Sequence, residues 1–159
     1  TPLWLAAAHG HLEVVQSILQ YQDFDLDVPD TGGETPFWVA ASNGHTEIVR
    51  CLANSGRVDL NSKGQSGTTP LWAAADNGHT EVVNVLASTD GVDMDCPDDK
   101  GITPLWSAAS NGYYHIVQSL VNTGRVAINS VAANGTTPLW AAAENGHDDV
   151  VRTLIDVGV

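Results

Sequence analysis

One stretch of the chain has the residue types of a calcium-binding loop. The segment DFDLDVPDTGGE, residues 23–34, has aspartate at its positions 1, 3 and 5 and glutamate at position 12. These positions supply oxygen ligands in an EF-hand loop. The match fails at position 6, which needs glycine for a sharp turn, because Val28 stands there and Pro29 follows. Aspartates that alternate on one face of a short strand explain the pattern better, and we expect no metal site.

Histidine and cysteine fall in places that predict structure instead of catalysis. Four histidines occupy one fixed position directly after a glycine, which we interpret as a turn position: His11, His45, His79 and His147. Neither Cys51 nor Cys96 belongs to a CxxC pair or to a Cys/His spacing typical of a metal site. The sequence contains no P-loop, GxSxG or HExxH motif. We therefore expect a protein that is not an enzyme and that uses no cofactor.

The most regular feature of the sequence is a tryptophan tetrapeptide. All five tryptophans end a TPLW or TPFW segment, and the copies recur every 34 residues, at 1–4, 35–38, 69–72, 103–106 and 137–140. A fixed period of about 20 to 50 residues is typical of a repeat array, in which each repeat packs on its neighbours. The period predicts one array of five units, at about 1–34, 35–68, 69–102, 103–136 and 137–159.

Each unit has the signals of two helices followed by an extended finger. In the third unit, Thr69 can cap a helix that begins at Pro70, where the missing proline N–H would have had no partner. An Asn-Gly pair at 77–78 ends this helix, since both residues tolerate the left-handed conformation. A second helix with an apolar stripe follows, and VDMD at 92–95 alternates like a short strand.

The unit GxTPLWxAAxNGHxEVVxxL, followed by VDxN, resembles the ankyrin repeat, whose signature reads G-x-TPLH-x-AA-xx-GH-xx-VV. The resemblance covers the whole chain and implies an all-α solenoid of stacked helix–turn–helix units with short β-hairpin fingers. Two features depart from the family pattern. The repeat period is 34 residues instead of about 33, and tryptophan replaces the histidine of TPLH in every unit. Because fold does not imply function, the resemblance names no partner.

Two interpretations of the tryptophan row are open. Stacked first helices would place successive rings about 8–10 Å apart, and each ring can bury ~150–250 Å². The row would then be a structural ladder that replaces the polar contacts of the family's histidine with packing: Trp4, Trp38, Trp72, Trp106 and Trp140. Alternatively, the rings line a groove that holds ligand side chains. The structural interpretation is favoured, because a binding surface needs variation and this row does not vary.

Residues that differ between units predict a partner-binding surface on the fixed framework. In ankyrin-like proteins the partner usually meets the finger tips and the exposed end of the first helix. Carried over to this sequence, those positions are Thr31, Glu34, Ser42 and Asn43, then Gln65, Ser66, Thr68, Asp76 and Asn77, then Asp99, Lys100, Ile102, Ser110 and Asn111, and finally Asn134, Thr136 and Glu144. The asparagines that precede glycine also fit a helix stop. Tyr113 and Tyr114 form an aromatic patch that is a further candidate contact.

The charge balance restricts the class of partner. The chain has 19 acidic and 6 basic residues, a net charge of −13. Nucleic acids and anionic membranes both demand basic clusters, so we expect a protein partner with a basic or neutral surface. The acidic fingers at 21–34 and 89–102 alternate with slightly basic ones that contain Arg57 and Arg125. This alternation predicts stepwise contacts with a basic partner, or simply keeps the protein soluble.

The sequence favours a non-catalytic protein–protein interaction module, an acidic scaffold that binds its partner through its finger tips and the concave face of its first helices. Two alternatives are a regulatory or sensor segment of a larger multidomain enzyme or signalling NTPase, and a structural solenoid that self-associates end to end through uncapped repeats. Apolar stripes in the first and last units indicate part of a longer array. Reduced cysteines and the lack of an apolar run of ~20 residues favour the cytoplasm, or alternatively the nucleus.

Overall fold

A computed structural model describes residues 1–158, which fold into ten α-helices arranged as five pairs. The first helices of the pairs are α1 Pro2–Ala8, α3 Pro36–Ser42, α5 Pro70–Asp76, α7 Pro104–Ser110 and α9 Pro138–Glu144. The second helices are α2 Leu12–Leu19, α4 Thr46–Asn54, α6 Thr80–Ala87, α8 Tyr114–Asn122 and α10 Asp148–Asp156. Each helix contacts its own partner and the equivalent helix of the next pair, which gives two stacked layers. Val159, the last residue of the fifth expected unit, lies outside this description.

Neighbouring helix pairs share one apolar core that runs the length of the array. Phe37, Leu71 and Leu105 stand at the same position of successive first helices and are at most 1% exposed. Small residues beside them, such as Ala74 and Ala75, are fully buried and let adjacent helices approach closely. No helix within residues 1–158 has both the length and the apolar character needed to cross a membrane. In the same range, no three His, Cys, Asp or Glu residues are grouped so that they could hold a metal ion.

The same cap begins every first helix. At α5, the hydroxyl of Thr69 accepts a hydrogen bond of 3.2 Å from the backbone N–H of Trp72, and Pro70 occupies the first helical position. This arrangement satisfies one of the free N–H groups at the helix start and places proline where it needs no donor. The helix ends at Asn77, and Gly78 then adopts a φ of +77°. The predicted start and end of this helix are therefore confirmed.

The glycine after each of the first four first helices also provides space for a ring of the next unit. Gly44 has a φ of +76°, a region that glycine adopts without strain. A Cβ on Gly44 would lie 2.7 Å from Nδ1 of His79. Nε2 of that histidine lies 2.9 Å from the carbonyl oxygen of Ser42, which can only accept, so the ring nitrogen is the donor. The predicted structural role of His79 is confirmed, and the ring joins two units as well as forming a turn.

The fingers differ from the expected β-hairpins, because residues 1–158 contain no β-strand. Burial does alternate as predicted, since Val92 and Met94 are buried and Asp93 is exposed. However, the backbone N–H of Asp93 donates to the side-chain Oδ1 of Asn61, at 2.8 Å. A strand needs a ladder of paired backbone groups, and here a side chain of the preceding finger takes the donor. The strand predicted at 92–95 is therefore wrong.

The basic residues of the second and fourth fingers hold neighbouring units together. Nη2 of Arg57 donates to the carbonyl oxygens of Phe24 at 2.7 Å and Gln22 at 2.8 Å. Nη2 of Arg125 donates to the carbonyl oxygen of Val92 at 2.7 Å. Both guanidinium groups thus fix the chain that follows the second helix of the preceding unit. The arginines thus have a structural role that the alternation of charge between fingers did not predict.

Each of the first four indoles donates its Nε1–H to the residue directly before the next threonine cap. The pairs are Trp4 to the Glu34 carbonyl at 3.0 Å, Trp38 to the Thr68 carbonyl at 2.9 Å, Trp72 to the Ile102 carbonyl at 2.9 Å and Trp106 to the Thr136 hydroxyl at 3.1 Å. The four rings are half-buried. The expectation that packing replaces polar contacts is therefore wrong, because both are present. Trp140 has no such acceptor within residues 1–158 and is 47% exposed.

The indole hydrogen bonds can be tested with a substitution that keeps the ring. We expect Trp72→Phe to lower the free energy of unfolding by about 1–2 kcal/mol, because the Ile102 carbonyl loses its donor. The matched variant Trp140→Phe removes no hydrogen bond seen in residues 1–158, and we expect a loss below about 0.5 kcal/mol. Urea unfolding followed by circular dichroism measures both. Equal losses for the two variants would contradict a role for the hydrogen bond.

A carboxylate between the first and second fingers is incompletely satisfied. Oδ2 of Asp27 accepts the backbone N–H of Asp59 at 2.9 Å. Oδ1 of Asp27 is shielded from solvent and has no hydrogen-bond partner within residues 1–158. Burial raises the pKa of Asp27, the hydrogen bond from Asp59 partly offsets this, and the charges of Asp59 and Asp25 raise the pKa further. The ionised form of Asp27 therefore weakens the fold above that raised pKa.

In the second finger, the position equivalent to Asp27 is Asn61, and its amide fits this position better than a carboxylate does. Oδ1 of Asn61 accepts the N–H of Asp93, and its Nδ2 donates to the carbonyl oxygen of Gly91 at 2.9 Å. We expect Asp27→Asn to donate in the same way to the carbonyl of Arg57, the equivalent residue, and to raise the free energy of unfolding by about 1 kcal/mol at neutral pH. The gain should shrink as the pH falls through the pKa of Asp27, because protonation removes the buried charge.

Urea unfolding at neutral and acidic pH checks this prediction. The control variant is Asp23→Asn, which removes the same charge from an exposed residue of the same finger. A gain of similar size in the control would attribute the effect to overall charge. A loss of stability in Asp27→Asn would show that the carboxylate itself is required.

Candidate partner-binding groove

A groove with a volume of about 360 Å³ lies where the first helices of the second and third units meet the fingers. Eight of the predicted partner-binding residues line it: Glu34, Ser42, Gln65, Ser66, Thr68, Asp76, Asn77 and Lys100. The other lining residues are Trp38, Trp72, Ala73 and Asp98. The fold thus brings residues from two helices and three fingers to one place, although they span almost 70 positions of the sequence, from 34 to 100.

The remaining predicted residues lie along the array, outside this groove. Those that are exposed are Thr31, Asn43, Asp99, Asn111, Asn134 and Glu144. Those that are half-buried are Ile102, Ser110 and Thr136. They extend from the first unit to the fifth, so they do not form one compact site with the groove.

Several predicted contact residues have their polar groups occupied within the fold. Thr68 is 7% exposed, and its Oγ1 donates to the carbonyl oxygen of Gln65 at 2.9 Å. The hydroxyl of Thr68 is therefore occupied within the fold, although the residue lines the groove. Nδ2 of Asn77 donates to both the carbonyl and the hydroxyl oxygen of Ser42 at 3.2 Å. This asparagine ends its helix and also joins two units.

The contact between the third and fourth units has its own chemistry. The ring of Tyr113 covers Gly78, where a Cβ would lie 3.0 Å from the ring. Tyrosine stands where the second, third and fifth units have a histidine that is hydrogen-bonded to the preceding unit. Oδ1 of Asp76 instead accepts hydrogen bonds from the Ser107 hydroxyl at 2.5 Å and from Nδ2 of Asn111 at 3.3 Å. Tyr113 therefore has a structural role, and one oxygen of Asp76 is unavailable to a ligand.

The tip of the second finger has a conformation of its own. In the first finger, Oδ1 of Asp30 accepts two backbone N–H groups of the tip, at 2.9 and 3.0 Å. The equivalent residue of the second finger is Gly64, which has no side chain to do this. The tip at Gln65–Gly67 instead forms a 3-10 turn in which Ser66 has a φ of +60°, an uncommon value for a residue other than glycine. The indole of Trp38 lies against Gly64, where a Cβ would be only 3.0 Å from the ring.

Glu34 gives the groove an unbalanced negative charge. Its backbone N–H and carbonyl groups are bonded to Asp30 and Trp4. The residue is half-buried, and its carboxylate has no hydrogen-bond or ion-pair partner within residues 1–158. Burial raises the pKa of Glu34, and the charge of Asp30 raises it further. Lys100 also lines the groove but lies beyond the 4.0 Å limit of an ion pair with it. A partly desolvated carboxylate without a cation is a candidate ligand contact.

Four residues that line the groove were not predicted to be partner contacts. Trp38 and Trp72 were expected to be structural, and they are bonded to the next unit while also lining the groove. Asp98 and Ala73 were not singled out. Asp98 had a signal in the sequence, since it repeats Asp30 at the base of the third finger tip and bonds the tip in the same way. Ala73 had no such signal in the sequence, because an alanine at this position is typical of ordinary helix packing.

Comparison with protein-family models agrees with the architecture. The model described as ankyrin repeats (3 copies) matches residues 3–98 and 86–159, which together include nearly the whole chain. No curated protein gives a match. The helix pairs, their capped starts and the fingers between them are therefore those of a known repeat, and the chain belongs to the ankyrin repeat family.

Proposed function

We propose that this chain is a protein-binding module that receives a segment of its partner in the groove between Trp38 and Trp72. Ankyrin repeats are generally protein–protein interaction modules. The observation that carries the proposal is the composition of the groove, in which two half-buried indoles are surrounded by polar residues that vary between units. Indole rings supply a large contact area with little loss of side-chain freedom, which makes them frequent anchors of protein interfaces.

The rigidity of the groove supports this function. The side chains of Trp38 and Trp72 are each fixed by a hydrogen bond of 2.9 Å to the next unit. The finger tips are linked in turn, since the backbone N–H of Asp99 donates to the carbonyl oxygen of Ser66 at 2.9 Å. A surface that is ordered before binding loses less conformational entropy on association. The groove therefore suits a partner segment that adapts to it.

Exposed apolar residues at both ends of the array favour a second candidate function, the association of copies through their end faces. Leu5 is 56% and Val14 47% exposed on the first unit, and Ile155 is 57% and Val157 39% exposed on the fifth. Each is large enough to gain from burial against another repeat. Light scattering of the protein over a range of concentrations distinguishes this candidate, because end-to-end association increases the mass with concentration, whereas a groove-binding module keeps it constant.

Photo-crosslinking tests the groove as the partner-binding surface. We expect a benzophenone amino acid that replaces Gln65, in the groove, to crosslink a partner protein in extracts of the source cells. The same group at Gln118 is the control, because this residue is exposed on α8, a second helix away from the groove. Crosslinks from position 65 and not from position 118 would support the proposal. A partner captured only from position 118, or equally from both, would contradict it.

The charge of the chain leads to a kinetic prediction for the captured partner. A net charge of −13 should accelerate the encounter with a basic surface. We expect the association rate constant to fall roughly tenfold between low salt and salt well above physiological strength, where the Debye length is about 8 Å or less. Stopped-flow mixing measures this rate. A rate constant that does not change with salt would exclude electrostatic attraction as a component of recognition.

A further inference from the structure

We propose that the groove contains a subsite for one arginine side chain of the partner, in which the guanidinium pairs with Glu34 and stacks on the indoles of Trp38 and Trp72. This inference rests on the proposed function and specifies the chemistry of the segment that is bound. Three observations carry it: the unpaired carboxylate, the chemistry left available on the two indoles, and the charges that surround them.

The carboxylate of Glu34 favours a cationic ligand. It is half-buried, has no partner within residues 1–158 and has a raised pKa, primarily because of burial. An apolar ligand would remove the remaining water from this carboxylate without replacing its hydrogen bonds, which is unfavourable. A guanidinium would supply donors and an opposite charge, and such charge-assisted bonds are stronger than neutral ones. The feature that is unfavourable in the free protein therefore becomes favourable in the complex.

The two indoles offer a π surface and no free donor. The Nε1–H of Trp38 is bonded to the Thr68 carbonyl, and that of Trp72 to the Ile102 carbonyl. A ligand that required hydrogen bonds from the indoles would have to break these contacts between units. Both half-buried rings line the groove, and an indole face attracts cations through the ring quadrupole. A planar guanidinium can stack on an indole face and bond a carboxylate through its edge at the same time, which a compact, strongly hydrated ammonium cannot.

The other charged groups of the groove agree with a cationic ligand. Asp76 and Asp98 also line it, and only one oxygen of each carboxylate is bonded within residues 1–158. Lys100 is the one cationic residue among the lining residues. Three carboxylates against one ammonium group give a negative potential, which opposes an acidic or phosphorylated segment. The same potential would retain an arginine side chain.

Nuclear magnetic resonance of the whole chain tests the subsite with defined probes. The probes are the peptide acetyl-Gly-Ser-Arg-Ser-Gly-amide and two versions with lysine or citrulline in place of arginine. We expect the arginine peptide to shift the indole N–H signals of Trp38 and Trp72 with saturation, the lysine peptide to bind more weakly, and the neutral citrulline peptide to cause little change. Signals of Trp4, Trp106 and Trp140 serve as internal controls. Equal shifts with arginine and citrulline, or no shifts at all, would overturn the proposal.

Glu34→Gln separates binding from folding. We expect this variant to weaken the binding of the arginine peptide at least about fivefold, because the negative charge of the ion pair is lost. Its melting temperature should stay the same or rise, since the ionised carboxylate is partly buried without a partner. Glu81→Gln removes the same charge from an exposed residue of α6 and should change neither quantity. A lowered melting temperature, or unchanged binding in Glu34→Gln, would show that the carboxylate has another role.

The outcomes for the subsite and for the protein-binding function are independent. A partner crosslinked from Gln65, together with arginine peptides that do not bind, would leave the proposed function standing and overturn the arginine subsite. Binding of the arginine peptide that depends on Glu34 supports the subsite even if no protein is crosslinked, and in that case the proposed function is the part that fails.

Discussion

The hydrogen bond that each of the first four indoles donates to the residue directly before the next threonine cap is the contact on which the array depends. One tryptophan joins two units, because its backbone N–H donates to its own threonine and its ring N–H donates 30 residues further along. The start of one helix is thereby fixed relative to the start of the next. A helix pair has an apolar face that it cannot bury alone, and this repeated bond sets which neighbouring face covers it.

The proposed binding surface uses the same residues as this structural contact. The rings of Trp38 and Trp72 are half-buried, bond the next unit through Nε1 and also line the groove. The structural and the ligand-holding interpretations of the tryptophan row are thus compatible. Specificity under this proposal comes from the residues around the rings. Among these, Glu34 and Lys100 each occur in one unit only, since other residue types stand at the equivalent positions of the other units. A constant framework with variable neighbours allows one fold to serve different partners.

Local signals in the sequence predicted the helices well, but they did not predict the contacts between units. Thr69, Pro70 and Gly78 determine a helix start and end through bonds to near neighbours, so their types suffice. The donors of Arg57 bond carbonyl groups at least 33 residues away, and nothing in its own segment distinguishes that role from a free charge. The absence of strands within residues 1–158 has a similar origin, because the side chain of Asn61 takes a donor that a strand would have paired.

The groove was predicted only in part, because some of its features depend on contacts between units. Its variable residues could be found by comparing units, since the period aligns each position with its equivalents. The replacement of Asp30 by Gly64 was visible in that comparison too. Its consequence, the approach of the Trp38 ring to the backbone and the left-handed Ser66, depends on three-dimensional packing that the comparison does not contain.

The arginines that fix neighbouring fingers restrict how such an array can change in length. Arg57 and Arg125 stand 68 residues apart, and each bonds the finger of the unit before it, whereas the second and third units are joined through Asn61. The junctions are therefore not equivalent, although at each of the three an aspartate or asparagine accepts a backbone N–H of the next finger. Loss of the second or the fourth unit by recombination would remove one guanidinium contact, whereas loss of the third unit would leave both arginines with a preceding finger to bond. The units therefore differ in what the array loses when one of them is deleted.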